Sequence, residues 1–138
     1  MLFTSKLFTA AKPNRGSYLA FRLSPASKQE ILNTVTPKYK KIDCDHITVE
    51  FDNPTPEMQE KYANASLEVT GYQFGEGVDC LVVSVNGSIK RPDGKIFHVT
   101  LSLKGGHKPV ESNAVLAQQG YNIIIPFDIQ GTLEMLPK

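Results

Sequence analysis

Two of the chain's three histidines stand in one repeated pattern, His46-Ile47-Thr48 and His98-Val99-Thr100, each followed by an apolar residue. The stretches HITVEF and HVTLSL are rich in β-branched residues and alternate in polarity, so each predicts a half-buried strand. Side chains two apart on a strand share a face. Each strand therefore presents a His and a Thr side by side. Its alternate residues turn to the core: Ile47, Val49 and Phe51 in one, Val99, Leu101 and Leu103 in the other. Two such strands can set two imidazoles and two hydroxyls around one small anion. Imidazole titrates near neutral pH, so one ring can accept a proton while the other donates one. Phosphodiester cleavage needs that pair, a base for the attacking water and an acid for the departing sugar oxygen. The Thr hydroxyls can donate to the non-bridging oxygens, where charge gathers as the bond breaks. The arrangement requires no metal and no other cofactor.

The rest of the chain supplies elements to hold these strands. Residues 17–23 alternate as a strand, with Tyr18, Ala20 and Arg22 on one face and Leu19, Phe21 and Leu23 on the other. Ser24 caps a helix with Pro25 in its first turn, running through Lys28, Ile31 and Leu32 to about Val35, and Thr36-Pro37 stops it. A basic loop (Lys38, Lys40, Lys41) leads to the first histidine strand. Residues 52–56 form a turn and 57–63 a short helix. Residues 66–74 and 78–85 are strands joined by Gly75-Glu76-Gly77. Residues 88–90 and 96–103 flank a second hairpin at Arg91-Pro92-Asp93-Gly94. Parity along that second arm turns Lys95 to the face away from His98. A short helix falls within 109–118, and 121–136 supplies one or two closing strands. The sum is an α+β fold, mostly antiparallel with few helices. The recurrence of the histidine strands implies two similar β lobes related by a pseudo-twofold, with a central cleft between them.

Bulk properties narrow the function classes. A chain of 138 residues suits a single domain spanning residues 1–138. A net charge of +1 gives no basic field to hold a long duplex, so a nucleic-acid partner would be an RNA end, a short piece or a nucleotide. No apolar run approaches the ~20 residues that span a bilayer, and a membrane partner is not expected. The opening MLFTSKLFTAAKPNRG lacks the ~7–15 continuous apolar residues of a secretion leader and reads as a first strand or arm. Cys44 and Cys80 lie in unrelated contexts without metal spacing, as reduced thiols of a cytoplasmic protein do. A monomer is expected.

Paired H-x-T motifs on strands of a small α+β chain resemble the two-histidine (2H) phosphoesterase superfamily. The nearest branch holds the 2′,3′-cyclic-nucleotide phosphodiesterases and the phosphodiesterase domains of tRNA ligases. Phe51, five residues after the first histidine, matches an aromatic that contacts the base in that branch. Pro109 and Val110, eleven and twelve residues after the second, match a pair that lines the site, and Tyr18 matches a tyrosine opening the first core strand. The resemblance implies hydrolysis of a 2′,3′-cyclic phosphate on a nucleotide or RNA end to a 2′-phosphate. It implies His46, His98, Thr48 and Thr100 as catalytic residues, with His46 the base and His98 the acid. Tyr18, Phe51, Pro109 and Val110 would bind substrate. Two other readings stand beside it. One is a phosphodiesterase that degrades small cyclic (oligo)nucleotide immune signals, as compact viral two-histidine enzymes do. The other is a non-catalytic module that binds nucleotides or RNA ends, although retention of both histidines and both threonines favours an enzyme. Strand parity sends Phe51 to the core unless the strand ends at Glu50. Glu50 and Ser102 share faces with the histidines, and Glu50 would either repel an anion or orient an imidazole. His107, beside Lys108, reads as a solvated loop residue within reach of the second motif.

Overall fold

The computed structural model of the protein describes residues 16–138; the strand or arm expected over the first 16 residues lies, Gly16 apart, outside them. Eleven elements follow in order: β1 (Ser17–Leu23), α1 (Pro25–Thr34), β2 (Lys41–Ile42), β3 (His46–Glu50), α2 (Pro56–Tyr62), β4 (Leu67–Gly75), β5 (Val78–Val85), β6 (His98–Leu103), α3 (Glu111–Gln119), β7 (Asn122–Ile129) and β8 (Gly131–Pro137). The strands form one antiparallel sheet in the order β7-β4-β5-β6-β3-β1-β8, with β2 paired to β6. The two lobes are the two halves of this sheet. Their central strands β3 and β6 pair at Ile47–Val99, and β2 extends that seam along β6 at Lys41–Leu103 and Ile42–Ser102.

The halves share a register. His98 and Thr100 lie opposite Val82 and Cys80, while His46 and Thr48 lie opposite Arg22 and Ala20. Each H-x-T strand thus leans on an older neighbour in the same phase, as a pseudo-twofold through the Ile47–Val99 pair requires. Strands β7 and β8 occupy opposite edges of the sheet, yet only Gln130 separates them. The sheet must therefore curl until its edges nearly meet there, an exaggeration of the ordinary strand twist.

Alternation decides which face is core. Leu19, Phe21 and Leu23 of β1, Ile47 and Val49 of β3, and Val99 and Leu101 of β6 are buried together with Ile31 of α1 and Tyr62 of α2. Burial of each large side chain stabilises by roughly 1.5–3 kcal/mol, so Ile31→Ala, which empties the α1 contact, would cost about 2–5 kcal/mol. The first core helix starts where expected, and the second starts one residue earlier, at Pro56. The Ser24 hydroxyl accepts the Ser27 amide at 3.1 Å and that of Thr55 accepts the Met58 amide at 3.2 Å, each followed by a proline suited to the first helical turn. The opposite face carries a smaller cluster in which Cys80 and Val82 of β5 meet Leu116 of α3. Helix α3 therefore stands on the same face as the histidines and walls the space beside them.

Two residues near the second motif are committed elsewhere. Ser102 shares the β6 face with His98, but its hydroxyl donates to the buried Asp79 carboxylate and accepts the Tyr39 amide at 3.0 Å. It anchors the loop before β2. His107 meets Glu111 across a 2.8 Å hydrogen bond at Nδ1 and packs over Gly77, where a Cβ would fall 2.3 Å from the imidazole. Its ring is held by the β4–β5 turn and takes no part in lining the space beside the second motif.

Candidate active site

A kink sets the relation of the two motifs. Where β2 runs along β6, Lys41 lies opposite Leu103 and Ile42 opposite Ser102, and Cys44 N still donates to Thr100 O at 2.8 Å. Continued unchanged, that register would put His46 opposite His98. Cys44 instead adopts a left-handed conformation, φ 47°, and the pairing resumes two residues later at Ile47–Val99. Extended one residue each way, the new register sets His46 across from Thr100 and Thr48 across from His98. The imidazoles then occupy a diagonal, roughly 7–8 Å between backbones in a regular ladder. That diagonal leaves room for a phosphate-sized anion between the two rings.

These four side chains line one cavity of about 350 Å³ together with Tyr18, Phe51, Pro109 and Val110. Strand β3 ends at Glu50, whose carboxylate accepts the amides of Asp52 and Asn53 at 3.1 Å each. This settles both residues that alternation left open. Glu50 is the acceptor that folds the turn, and the turn swings Phe51 out of the core phase to the cavity rim, 43% exposed. Parity failed at Phe51 because the strand had already ended. The Phe51 ring lies 5.2 Å from that of Tyr18, centroid to centroid, and the Lys138 ammonium sits 4.4 Å over its outer face. His46, Tyr18 and Phe51 make a continuous aromatic wall.

The two histidines live in opposite settings. His98 is 8% exposed, and Nδ1 lies 2.8 Å from the Ile96 carbonyl. A carbonyl only accepts, so Nδ1 carries the proton, and the Nε2 lone pair has no donor among the described residues. Burial pushes the His98 pKa down to about 4; the Ile96 carbonyl opposes that shift, while the Arg91 charge assists it. His46 is half-buried, with Nδ1 3.0 Å from the Asp45 carboxylate and Nε2 3.1 Å from the Tyr18 hydroxyl. Arg22 holds Asp45 from the other side at 3.5 Å. Burial, with the Asp45 charge behind it, raises the Tyr18 pKa, so the phenol stays protonated. Burial also raises the carboxyl pKa of Asp43, against the pull of His46.

The threonines differ likewise. Thr48 is half-buried and its hydroxyl has no partner among the described residues. Thr100 is buried; its hydroxyl donates to Pro109 O at 3.2 Å and meets the Ser112 hydroxyl at 2.9 Å. It ties the Pro109–Val110 wall to β6.

Several lining residues escape sequence reasoning: Arg91, Lys95, Asp43, Asp52, Asn113 and Lys138. Parity turned Lys95 away, yet it lines the cavity, because regular β6 pairing begins only at His98 and the preceding arm holds by the isolated Lys90–Ile96 bridge. Arg91 carried a faint signal, since a Pro-Asp-Gly turn one residue after it fixes where it projects. Among the described residues no three His, Cys, Asp or Glu side chains are grouped as metal ligands, and no helix is long and apolar enough to cross a membrane.

No protein-family model matches the chain, and no curated protein matches it significantly. Fold and cavity together define a small antiparallel α+β protein with paired H-x-T strands over one cleft. Among solved structures it is similar to a fungal RNA kinase, with a TM-score of 0.59 and 12% identity. The match covers 94% of this chain and 48% of the kinase, so the chain spans about half the length of that protein. At this identity the likeness is one of fold.

Proposed function

We propose that the chain is a metal-independent phosphodiesterase that opens 2′,3′-cyclic phosphates of nucleotides or RNA ends to 2′-phosphates, as a member of the two-histidine phosphoesterase superfamily. The observation that carries the reading is the opposed setting of two imidazoles on one cavity. His98, neutral at pH 7 with Nε2 unprotonated, is the base, and His46, backed by the Asp45 carboxylate, is the acid. This reverses the order that resemblance implies. Water loses a proton to His98 Nε2 as its oxygen bonds to phosphorus. The bond from phosphorus to the 3′ oxygen breaks opposite, and His46 Nε2 gives its proton to that oxygen. Tyr18, which holds Nε2 at rest, yields to the substrate and stays beside it as a hydrogen-bond partner. Thr48 donates to a non-bridging oxygen, and Thr100 does so by rotating away from Pro109 while Ser112 remains its second partner. Phe51 and Tyr18 stack the base, and Pro109 and Val110 close the far wall. The fold shared with a protein that is by name an RNA kinase fits an RNA end as substrate.

The test is turnover of 2′,3′-cyclic mononucleotides, RNA oligomers with cyclic-phosphate ends and cyclic oligonucleotides, each with EDTA present. Hydrolysis of the first two to 2′-phosphates is expected. Loss of turnover in EDTA, with recovery on adding Zn²⁺ or Mn²⁺, would refute the acid–base mechanism. Cleavage confined to cyclic oligonucleotides would favour degradation of immune signals, and tight binding without turnover would favour a binding module.

A further inference from the structure

The turn from Arg91 to Lys95 reaches the cleft from the His98 side, and beyond the Arg91 charge that helps hold His98 neutral the acid–base chemistry does not use it. Arg91 is 5% exposed, a rare burial for a guanidinium. Its Nη2 is tied to Asp93 Oδ2 at 2.7 Å, while the buried Nε–H has no partner among the described residues. The turn is clamped before any ligand arrives. Arg91 N donates to Lys95 O at 2.8 Å, Gly94 N to Arg91 O at 3.0 Å, and Lys95 N to Asp93 Oδ1 at 3.0 Å. Arg91 and the exposed Lys95 line the same cavity as the histidines. The two carboxylates on that cavity, Asp43 and Asp52, flank β3 on the other side, and Asp93 is already engaged.

A buried N–H without an acceptor has given up its water for nothing, and a ligand oxygen would restore the bond. A guanidinium presents its donors in the fork that suits phosphate. The backbone of the turn is set back from the reacting phosphate. The turn lies beyond Ile96, which is two residues, or roughly 7 Å of strand, past His98 on the side away from Thr100. We propose that Arg91 and Lys95 form a second phosphate subsite, so that the preferred substrate carries a further phosphate beside its cyclic one. The inference rests on the phosphodiesterase reading and narrows its substrate class to phosphorylated nucleotides and oligonucleotides over bare nucleoside cyclic phosphates.

Three substrates test it: adenosine 2′,3′-cyclic phosphate, its 5′-phosphorylated form, and a dinucleotide ending in the cyclic phosphate. The expected result is at least a tenfold gain in kcat/KM from the added phosphate, carried by KM and diminished by salt. Preference for the 5′-phosphate or for the internucleotide phosphate tells which source the subsite takes. Lys95→Gln should shrink the preference ratio several-fold and Lys95→Arg should keep it. Arg91→Gln should abolish it, judged with a melting curve because the residue is buried. Equal kcat/KM on all three substrates, or an unchanged ratio in Lys95→Gln, would overturn the subsite. If nothing is hydrolysed, the catalytic reading fails separately, and calorimetry with adenosine 2′-phosphate and adenosine 2′,5′-bisphosphate decides. Tighter binding of the bisphosphate, weakened by Lys95→Gln, supports the subsite, and equal binding ends it.

Discussion

The first H-x-T strand is half open and sits among carboxylates, one of them held by the exposed Arg22, whereas the second is closed and sits beside the buried Arg91. His46 has Asp45 on one nitrogen and Tyr18 on the other; His98 has a backbone carbonyl on one nitrogen and, among the described residues, no partner on the other. Thr48 has no hydroxyl partner among the described residues, while Thr100 is bonded into the α3 wall. One tripeptide pattern thus yields two chemically different sites, because burial and hydrogen-bond partners differ around each ring.

The sharpest break of that comparison uses leaving groups. His46→Ala and His98→Ala should each lower kcat on a cyclic phosphate by about 10²–10⁴-fold, with the double variant little worse than either. On an aryl phosphodiester, whose leaving group departs without a proton, His46→Ala should recover most of the lost rate and His98→Ala none. The opposite pattern would restore His46 as base.

Stability against pH isolates the second half. Unfolded, His98 takes a proton below its usual 6.5; folded, it resists down to about 4. Above 6.5 the ring is neutral in both states and stability is at its full value. As pH falls toward 4 only the unfolded chain gains the proton, so up to about 3 kcal/mol is lost, levelling off below 4. Urea unfolding across this window should show the decline, and His98→Gln should flatten it.

The threonines should separate along the same line. Thr100→Val removes the bonds to Pro109 and Ser112 and should cost about 1–2 kcal/mol of stability by thermal melting. Thr48→Val should leave the melting temperature unchanged and lower kcat by about tenfold. The smallest effect is expected at the rim. Phe51→Ala removes a stacking surface worth about 1 kcal/mol, roughly a fivefold rise in KM for a nucleotide, with kcat unmoved.

Much of this arrangement is legible in the chain. Alternation in HITVEF and HVTLSL placed His and Thr together and Ile47, Val49, Val99 and Leu101 opposite them, because a strand repeats every two residues whatever surrounds it. Ser24-Pro25 and the two glycine hairpins marked the helix start and turns for equally local reasons. Such features depend on the backbone within a few residues, and sequence carries them fully.

Tertiary structure decided what depends on neighbours far along the chain. The left-handed Cys44 shifts one strand two residues against the other, and nothing in the local sequence names its partner on β6. Glu50 ends β3 by capping a turn, which sends Phe51 to the rim against its parity. Lys95 reaches the cleft because regular pairing starts only at His98. The division between His46 and His98 is the clearest case. Two identical motifs read alike in sequence, while burial and nearby charge, which act through space, make one ring hard to protonate and give the other a carboxylate.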